Sequence, residues 1–279
     1  MIALELLAPA RTAQIGMAAI DCGADAVYIA GPAFGARQAA GNSVEDIREL
    51  CAYAHRFGVR IYATVNTLLE PEEIPQARAL VKQLEQAGVD ALIVQDPSVL
   101  GMSDTIVMHA STQCAIRTPE KAQGLESLGF GRLVLERELS LEQIKAITQS
   151  VDTEIEFFVH GALCVCYSGQ CYLSEYLTGR SANRGACAQP CRNLYDLQDA
   201  SGKVLVRNIR EAMKDKSQVT LQDVVEQFPL KQGLPELFAY FGALGQFPHK
   251  SVDEEKRQAI VFDYENNKRI RIPEIIISI

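Results

Sequence analysis

Five of the chain's eight cysteines, Cys164, Cys166, Cys171, Cys187 and Cys191, fall in one stretch that reads GALCVCYSGQCYLSEYLTGRSANRGACAQPCR. Small buried residues have no packing reason to recur at that density, so crowded thiols point to a metal centre or to redox chemistry. In a reducing compartment the metal comes ahead of a disulfide frame. Residue types alone leave two metals open, because a cubane iron–sulfur cluster and a structural tetrahedral zinc can both use four converging thiolates. Gly161, Gly169 and Gly185, among or beside the cysteines, would let the loop wrap around either.

A second group of polar residues stands where apolar runs end: Asn66, Gln95 with Asp96, His109, Glu136 with Arg137, and His160. His109 and His160 have the chemistry of an acid, a base or a hydrogen-bond donor near neutral pH. The alternative for each is a buried imidazole satisfied by a backbone carbonyl. Glu136 and Arg137 read either as a carboxylate and a guanidinium facing one mouth or as a structural ion pair; Arg137 could grip the carboxylate of a small dicarboxylic ligand with two parallel hydrogen bonds. Asn66 and Gln95 are candidate substrate contacts. Arg180, Arg184 and Arg192 lie in or beside the cysteine stretch and could form a local basic rim, whereas His55 and His249 read as surface residues.

The elements that must position these groups follow a regular rhythm. Apolar runs at 3–8, 26–30, 60–66, 91–95, 106–109, 132–136 and 154–160 alternate with amphipathic stretches such as 43–57, 71–87, 119–128 and 140–149. The joints CGADAVYIA, FGVRIYATVN, AGVDALIVQD and LGFGRLVLE place Gly between each helix and the next strand, where a left-handed C-cap is wanted. Seven consecutive βα units predict a parallel sheet with helices outside. Polar residues at many strand ends, rather than at one switch point, favour a TIM-like barrel over an open sheet.

A chain of 279 residues with 48% apolar content can bury one large core, or a medium domain and a small one. The start, MIALELLAPAR, lacks the basic head and long apolar stretch of a secretory signal, and no run of about 18 apolar residues occurs, so a cytoplasmic chain without membrane contact is expected. The net charge is −8, and the acidity belongs to residues 1–203, which carry 16 Lys and Arg against 24 Asp and Glu. Such a body is unsuited to broad, nonspecific nucleic-acid binding, though a local basic mouth is compatible with it.

The segments ELLAPA, GADAVYIAGPAFGAR, HASTQCAIRT, EFFVHGALCVCYSGQCYLS and GRSANRGACAQPCR together resemble the U-32 peptidase family, named for collagenase-like proteases. The resemblance covers residues 1–203, and GPAFGAR, HASTQC and GRSANRG are most similar to the branch that hydroxylates a cytidine in 23S ribosomal RNA. It implies a 4Fe-4S cluster held by Cys164, Cys171, Cys187 and Cys191, prephenate as the source of the hydroxyl group, and ribosomal RNA or its precursor as partner. Cys166 is then an extra, buried thiol. Cys22, Cys51 and Cys114 read as small buried hydrophobes of the framework. Among these four only Cys187 and Cys191 form a close pair of the kind zinc knuckles use, which also favours iron. No nucleophile elbow, HExxH helix or Walker-type loop is recognisable, so peptidase chemistry rests on the family's historical name.

After Lys203 the βα rhythm stops and all eight cysteines are behind. The expected architecture is a TIM-like (β/α) barrel lacking its eighth strand, with the cysteine loop at 160–192, followed by a winged-helix-like α+β tail over 204–279. In the tail, helices are expected over 209–214, 220–227 and 234–242, then a hairpin of strands 259–264 and 269–277 turning at 265–267, with Pro273 at an edge. VTLQDVVEQFPLKQGLPEL and RIPEII are similar to the end of the kleisin-like subunit of Wadjet-type SMC complexes, which implies a fusion and an SMC-complex partner.

Overall fold

The computed structural model describes residues 5–37, 41–160, 164, 166–193, 196–198, 204–206, 251–253, 258–263, 268–271 and 275–278. The chain divides into two compact units, one formed by residues 1–188 with 246–279 and the other by 189–245. In the first unit, β1 (Leu6–Ala10), α1 (Ala13–Asp21), β2 (Ala26–Ala30), α2 (Val44–His55), β3 (Arg60–Val65), α3 (Ile74–Ala87) and β4 (Ala91–Val94) are followed by β5 (Val107–Ala110), α4 (Pro119–Ser127), β6 (Arg132–Val134), α5 (Leu141–Thr148), β7 (Glu154–Phe158) and α6 (Leu173–Thr178). Strands β1 to β7 pair with their sequence neighbours, all in parallel, into the curled sheet of a TIM-like α/β fold. Helix starts are set locally: the hydroxyls of Thr12, Ser43, Thr118 and Ser140 each accept a backbone N–H at an α-helix N-terminus. Gly88, at φ 92°, ends α3 in the left-handed region and turns the chain toward β4.

The strands fall within a few residues of their expected bounds, with β7 stopping at Phe158 and leaving His160 outside the sheet. The tail strands in the first unit are β10 (Ser251–Asp253), β11 (Gln258–Asp263), β12 (Lys268–Arg271) and β13 (Ile275–Ser278); the second unit holds a small antiparallel pair, β8 (Leu197–Gln198) and β9 (Val204–Val206). The expected hairpin is present as β11 and β12, paired from Asp263 with Lys268 to Ile260 with Arg271. Its second strand was expected to continue to residue 277; it ends at Arg271 instead. β13 pairs in parallel with β1 at Leu6 and Leu7 and with β7 from Ile155 to Phe158. The seven βα strands are as expected, and β13 lies along both edges of their sheet. Two parallel edges with unpaired N–H and C=O groups accept any extended segment that reaches them, and the Ile-rich run of β13 has the backbone preference to do so. The three tail helices, the hairpin turn and Pro273 lie outside the described residues, as does nearly all of the SMC-like segment.

Alternation along each strand separates two cores. One face packs against the helices through Val27, Ile29, Ile61, Ala63, Val65, Leu92, Val94, Leu133 and Ile155. The other lines the barrel interior with Leu7, Ala26, Tyr62, Ala91 and Ile93, and Tyr28 packs beside them. At the N-terminal ends of the strands this interior is closed by charge. Arg132, 1% exposed, donates to Glu5 at 2.7 Å and to Glu154 at 2.8 and 3.0 Å, and lies 3.6 Å from Glu156. Arg60 pairs with the same Glu5, and the Tyr62 hydroxyl donates to both Glu5 oxygens.

Candidate functional site

The opposite, C-terminal ends of the strands carry the residues that could do chemistry, as expected for this architecture. Asn66, just past β3, accepts the backbone N–H of Ala36 at 2.8 Å and donates to the Ser111 hydroxyl at 3.2 Å, tying three βα loops together. Gln95, just past β4, is buried and donates to the Gln113 carbonyl at 3.1 Å, while its own Oε1 has no donor among the described residues. Ser111 caps the short turn Thr112–Cys114 that follows β5. The HASTQC motif is thus a strand end plus the turn that holds the neighbouring loops, and both amides, the expected substrate contacts, also make structural hydrogen bonds.

The cysteine segment seats on that turn. Gly169, at φ 74°, packs so close that a β-carbon there would lie 2.1 Å from the Gln113 carbonyl oxygen. Within the segment, fully buried Ser174 donates to the Arg180 carbonyl at 2.7 Å and accepts from the Ala188 N–H at 2.9 Å. Asn183 accepts from the Cys171 N–H at 3.0 Å. Arg180 donates to the Ala186 carbonyl at 3.0 Å, so it braces the segment's own backbone. Arg184 donates to the Leu68 carbonyl at 2.9 Å and to Glu73 at 2.6 Å, with Glu70 at 3.6 Å, and so clamps the segment to the start of α3. Both arginines were expected at a substrate rim, and their contacts among the described residues brace the segment. Replacing Arg184 with alanine is expected to raise amide hydrogen exchange across residues 171–188 while leaving α2 unchanged, with global stability lowered by no more than about 1 kcal/mol because the pair is partly solvated.

Among the proposed ligands, Cys164 and Cys187 are exposed and Cys171 is half-buried; Cys191 belongs to the second unit, in the short turn Pro190–Arg192. Cys166 is half-buried, donates to the Gln170 carbonyl at 3.2 Å, and has its thiol pushed up by burial and then by the neighbouring Cys171 and Cys164. It is therefore close to two proposed ligands. Thiols are the right donors for an iron–sulfur cluster, yet no three His, Cys, Asp or Glu side chains among the described residues are arranged to hold a metal ion. The donor chemistry of the four thiols fits such a cluster. Cys51 and Cys114 are inert framework thiols, pushed by burial to about 12 and about 11. Cys22 departs from expectation, being exposed as the C-cap of α1.

The titratable candidates separate sharply. His109 points into the barrel interior, its ring edge-on to Tyr62 at 4.8 Å between centroids. Burial, then Arg132 and Arg60, hold it well below the usual imidazole range, so it is neutral at physiological pH. His160 is exposed beyond β7. Arg137 lies 4.2 Å over the Phe158 ring and its charge reaches Tyr28, together with that of Arg37. Glu136 is 1% exposed, accepts the Ser168 N–H from the cysteine segment at 3.4 Å, and is pushed up to about 8 by burial and by Glu138. Arg117, stacked 3.8 Å over Tyr167, opposes that shift. Glu136 and Arg137 therefore take separate partners and do not form the structural ion pair that was one reading of them. Sequence reasoning missed Glu138, Arg117 and Ser168. The closeness of Glu138 to Glu136 in the sequence was the available signal.

The profile of peptidase family U32 matches residues 11–234. The chain belongs to peptidase family U32. This U32 chain is 58% identical over 203 residues to the 23S rRNA 5-hydroxycytidine C2501 synthase of Escherichia coli (strain K12), a match covering 72% of the chain and 31% of that protein. It is 38% identical over 203 residues to the tRNA hydroxylation protein P1 of Bacillus subtilis (strain 168), covering 71% and 48%. It is 36% identical over 210 residues to a collagenase of Porphyromonas gingivalis (strain ATCC BAA-308 / W83), covering 70% and 50%. The U32 chain thus spans a third to a half of the length of these relatives. The solved structure of the U32 peptidase Mk0906 shares its fold, with a TM-score of 0.50 at 18% identity over 57% of the chain and 69% of that structure. No helix among the described residues is long and apolar enough to cross a membrane.

Proposed function

We propose that this chain carries the barrel and cysteine segment of an RNA-modifying enzyme that hydroxylates a cytidine in 23S ribosomal RNA. The observation that carries the reading is the 58% identity over 203 residues to a protein named for that activity, against 38% to a tRNA hydroxylation protein. Cys164, Cys171, Cys187 and Cys191 would hold a 4Fe-4S cluster and prephenate would supply the hydroxyl group, both by family resemblance. When bound, such a cluster supplies one-electron chemistry. The chain's own contribution is positional. Arg137 is the guanidinium nearest in kind to what an acidic co-substrate needs. Glu136 and the exposed His160 are the mouth groups able to hold or move a proton. His109, neutral and enclosed by Tyr62, orders the barrel interior.

The test is anaerobic purification with metal analysis and an absorption spectrum, joined to mass spectrometry of 23S rRNA from a deletion strain supplied with this chain. About four iron atoms per chain, lost on changing any one of the four cysteines to alanine, and a hydroxyl restored to one cytidine are expected. A colourless, zinc-loaded protein that leaves the RNA unchanged would overturn the reading. Cleavage of a peptide library by that metal-free or zinc-loaded protein would favour the peptidase alternative, which the collagenase relative keeps in view.

A further inference from the structure

Helix α6, in the cysteine segment, is built inside out. Its one buried residue is Ser174, whose hydroxyl is taken up by the Arg180 carbonyl and the Ala188 N–H, while its large side chains face outward. Tyr172 is 67% exposed, Leu173 40%, Tyr176 86% and Leu177 49%. Of the nine large hydrophobic side chains exposed among the described residues these are four, and the other five are scattered singly from Ile15 to Leu128. Scattered exposure is ordinary, whereas a contiguous patch marks a contact surface. Tyr172 and Tyr176 are one turn apart, with the Tyr176 N–H donating to the Tyr172 carbonyl at 2.9 Å, so both rings leave the same side of the helix.

The charge beside the patch says what covers it. Arg180, just past the helix, is exposed; its Nε donates to the Ala186 carbonyl, and its terminal nitrogens carry no hydrogen bond or ion pair among the described residues. Residues 160–192 hold three arginines and one glutamate, in a body otherwise rich in acid. Exposed rings next to a guanidinium suit an anion with flat apolar faces: a base lies on a ring and the cation takes the adjoining phosphate. We propose that Tyr172 and Tyr176 form a stacking platform for unpaired nucleotides of an RNA, with Arg180 set beside them for a phosphate. The proposal rests on RNA being the substrate, as read above, and adds where the chain grips it. Bases in a duplex are stacked on one another and offer no free face, so the platform selects single strands. Cys171 directly precedes Tyr172, and Ala188, the neighbour of exposed Cys187, is bonded to Ser174 on the buried side of the same helix. A strand stacked here lies alongside two of the four proposed cluster ligands.

The test is equilibrium binding of the whole chain to a fluorescently labelled single-stranded RNA of about 12 nucleotides, followed by anisotropy. Tyr172→Ala and Tyr176→Ala should each weaken binding about tenfold, and a duplex of the same length should bind less tightly than the single strand. Tyr176→Phe keeps the ring and should keep the affinity, whereas Tyr176→Leu keeps apolar area without the ring and should lose as much as alanine. Hydrogen exchange over residues 171–188 should be unchanged in each variant, because the replaced rings face solvent. Wild-type affinity in both alanine variants, or leucine serving as well as phenylalanine, would overturn the proposal. So would sedimentation in which the alanine changes separate a dimer of the wild-type chain, since the face would then belong to a second copy. Ring-dependent binding by a chain that leaves 23S rRNA unmodified would sink the hydroxylation reading alone. Full modification by the double alanine variant would sink this proposal alone.

Discussion

Replacing Arg132 with methionine is expected to lower the stability of the barrel by about 3–5 kcal/mol at pH 8, the range found when one partner of a buried ion pair is removed. Arg132 serves Glu5, Glu154 and Glu156 from a position that is 1% exposed. Glu5 keeps Arg60 after the change, whereas Glu156 loses the cation that faces it. The deficit should depend on pH, and its sign follows from proton binding. Glu156 is already pushed up to about 7, by burial against the pull of Arg132, and without Arg132 it must rise further. The variant's folded state then holds a proton that its unfolded state releases near the ordinary carboxylate range, so its stability falls as pH rises. Thermal melts should show a loss of about 10 °C at pH 8 that narrows toward pH 5. A uniform deficit across that range would mean that packing, rather than stranded charge, is what was lost. Lysine should rescue poorly, since one ammonium cannot present the forked donors that reach three carboxylates.

The second large effect concerns Gly169. Alanine there meets the Gln113 carbonyl oxygen at 2.1 Å, its carbonyl carbon at 3.0 Å and Gln95 Nε2 at 3.1 Å, and must also adopt φ 74°. Backbone cannot swing aside as a flexible side chain can, so the cysteine segment itself must move. Overpacking together with the left-handed conformation places the cost at about 2–4 kcal/mol, concentrated in that segment. Limited proteolysis should cut within residues 164–188 in Gly169→Ala while the βα framework stays resistant, and iron loading should fall with it if the proposed cluster is correct. Gly124→Ala in α4 is the control: nothing lies within 4 Å of its added carbon, and a helix interior favours alanine by roughly 0.5–1 kcal/mol. Equal behaviour of the two variants would show that the seat on Gln113 does not hold the segment.

Legibility in the sequence followed the range of the interactions. The βα rhythm could be read because alternation, helix periodicity and glycine joints are local, and β2 was expected at 26–30 and found there. Placement of side chains relative to the mouth was harder. Asn66, Gln95 and Glu136 were found at strand ends, yet the first two are held by Ala36, Ser111 and Gln113, partners that spacing cannot reveal. Arg184 was read as part of a basic rim from its place in the cysteine stretch; its partner Glu73 lies 111 residues away, out of reach of local reading. His109 was read either as an acid–base group or as a buried imidazole, and what encloses it, Tyr62 and the charges of Arg132 and Arg60, comes from other strands. The strand taken up by residues 275–278 was read as part of a hairpin, since local pattern identifies an extended segment but not the edge that receives it.

The ionic floor of the barrel has a consequence for the order in which the chain can fold. Glu5 sits at the start of β1 and meets Arg132 across 127 residues, and Arg60 across 55. Contacts of that separation close late, after the loop entropy of everything between them has been overcome. During synthesis β1 can pair with β2 early, but its buried carboxylate gains Arg132 only when β6 has emerged and docked. β1 is thus among the last strands to be fully satisfied, and chains synthesised only as far as β5 should present Glu5 to solvent, with Arg60 alone to hold it.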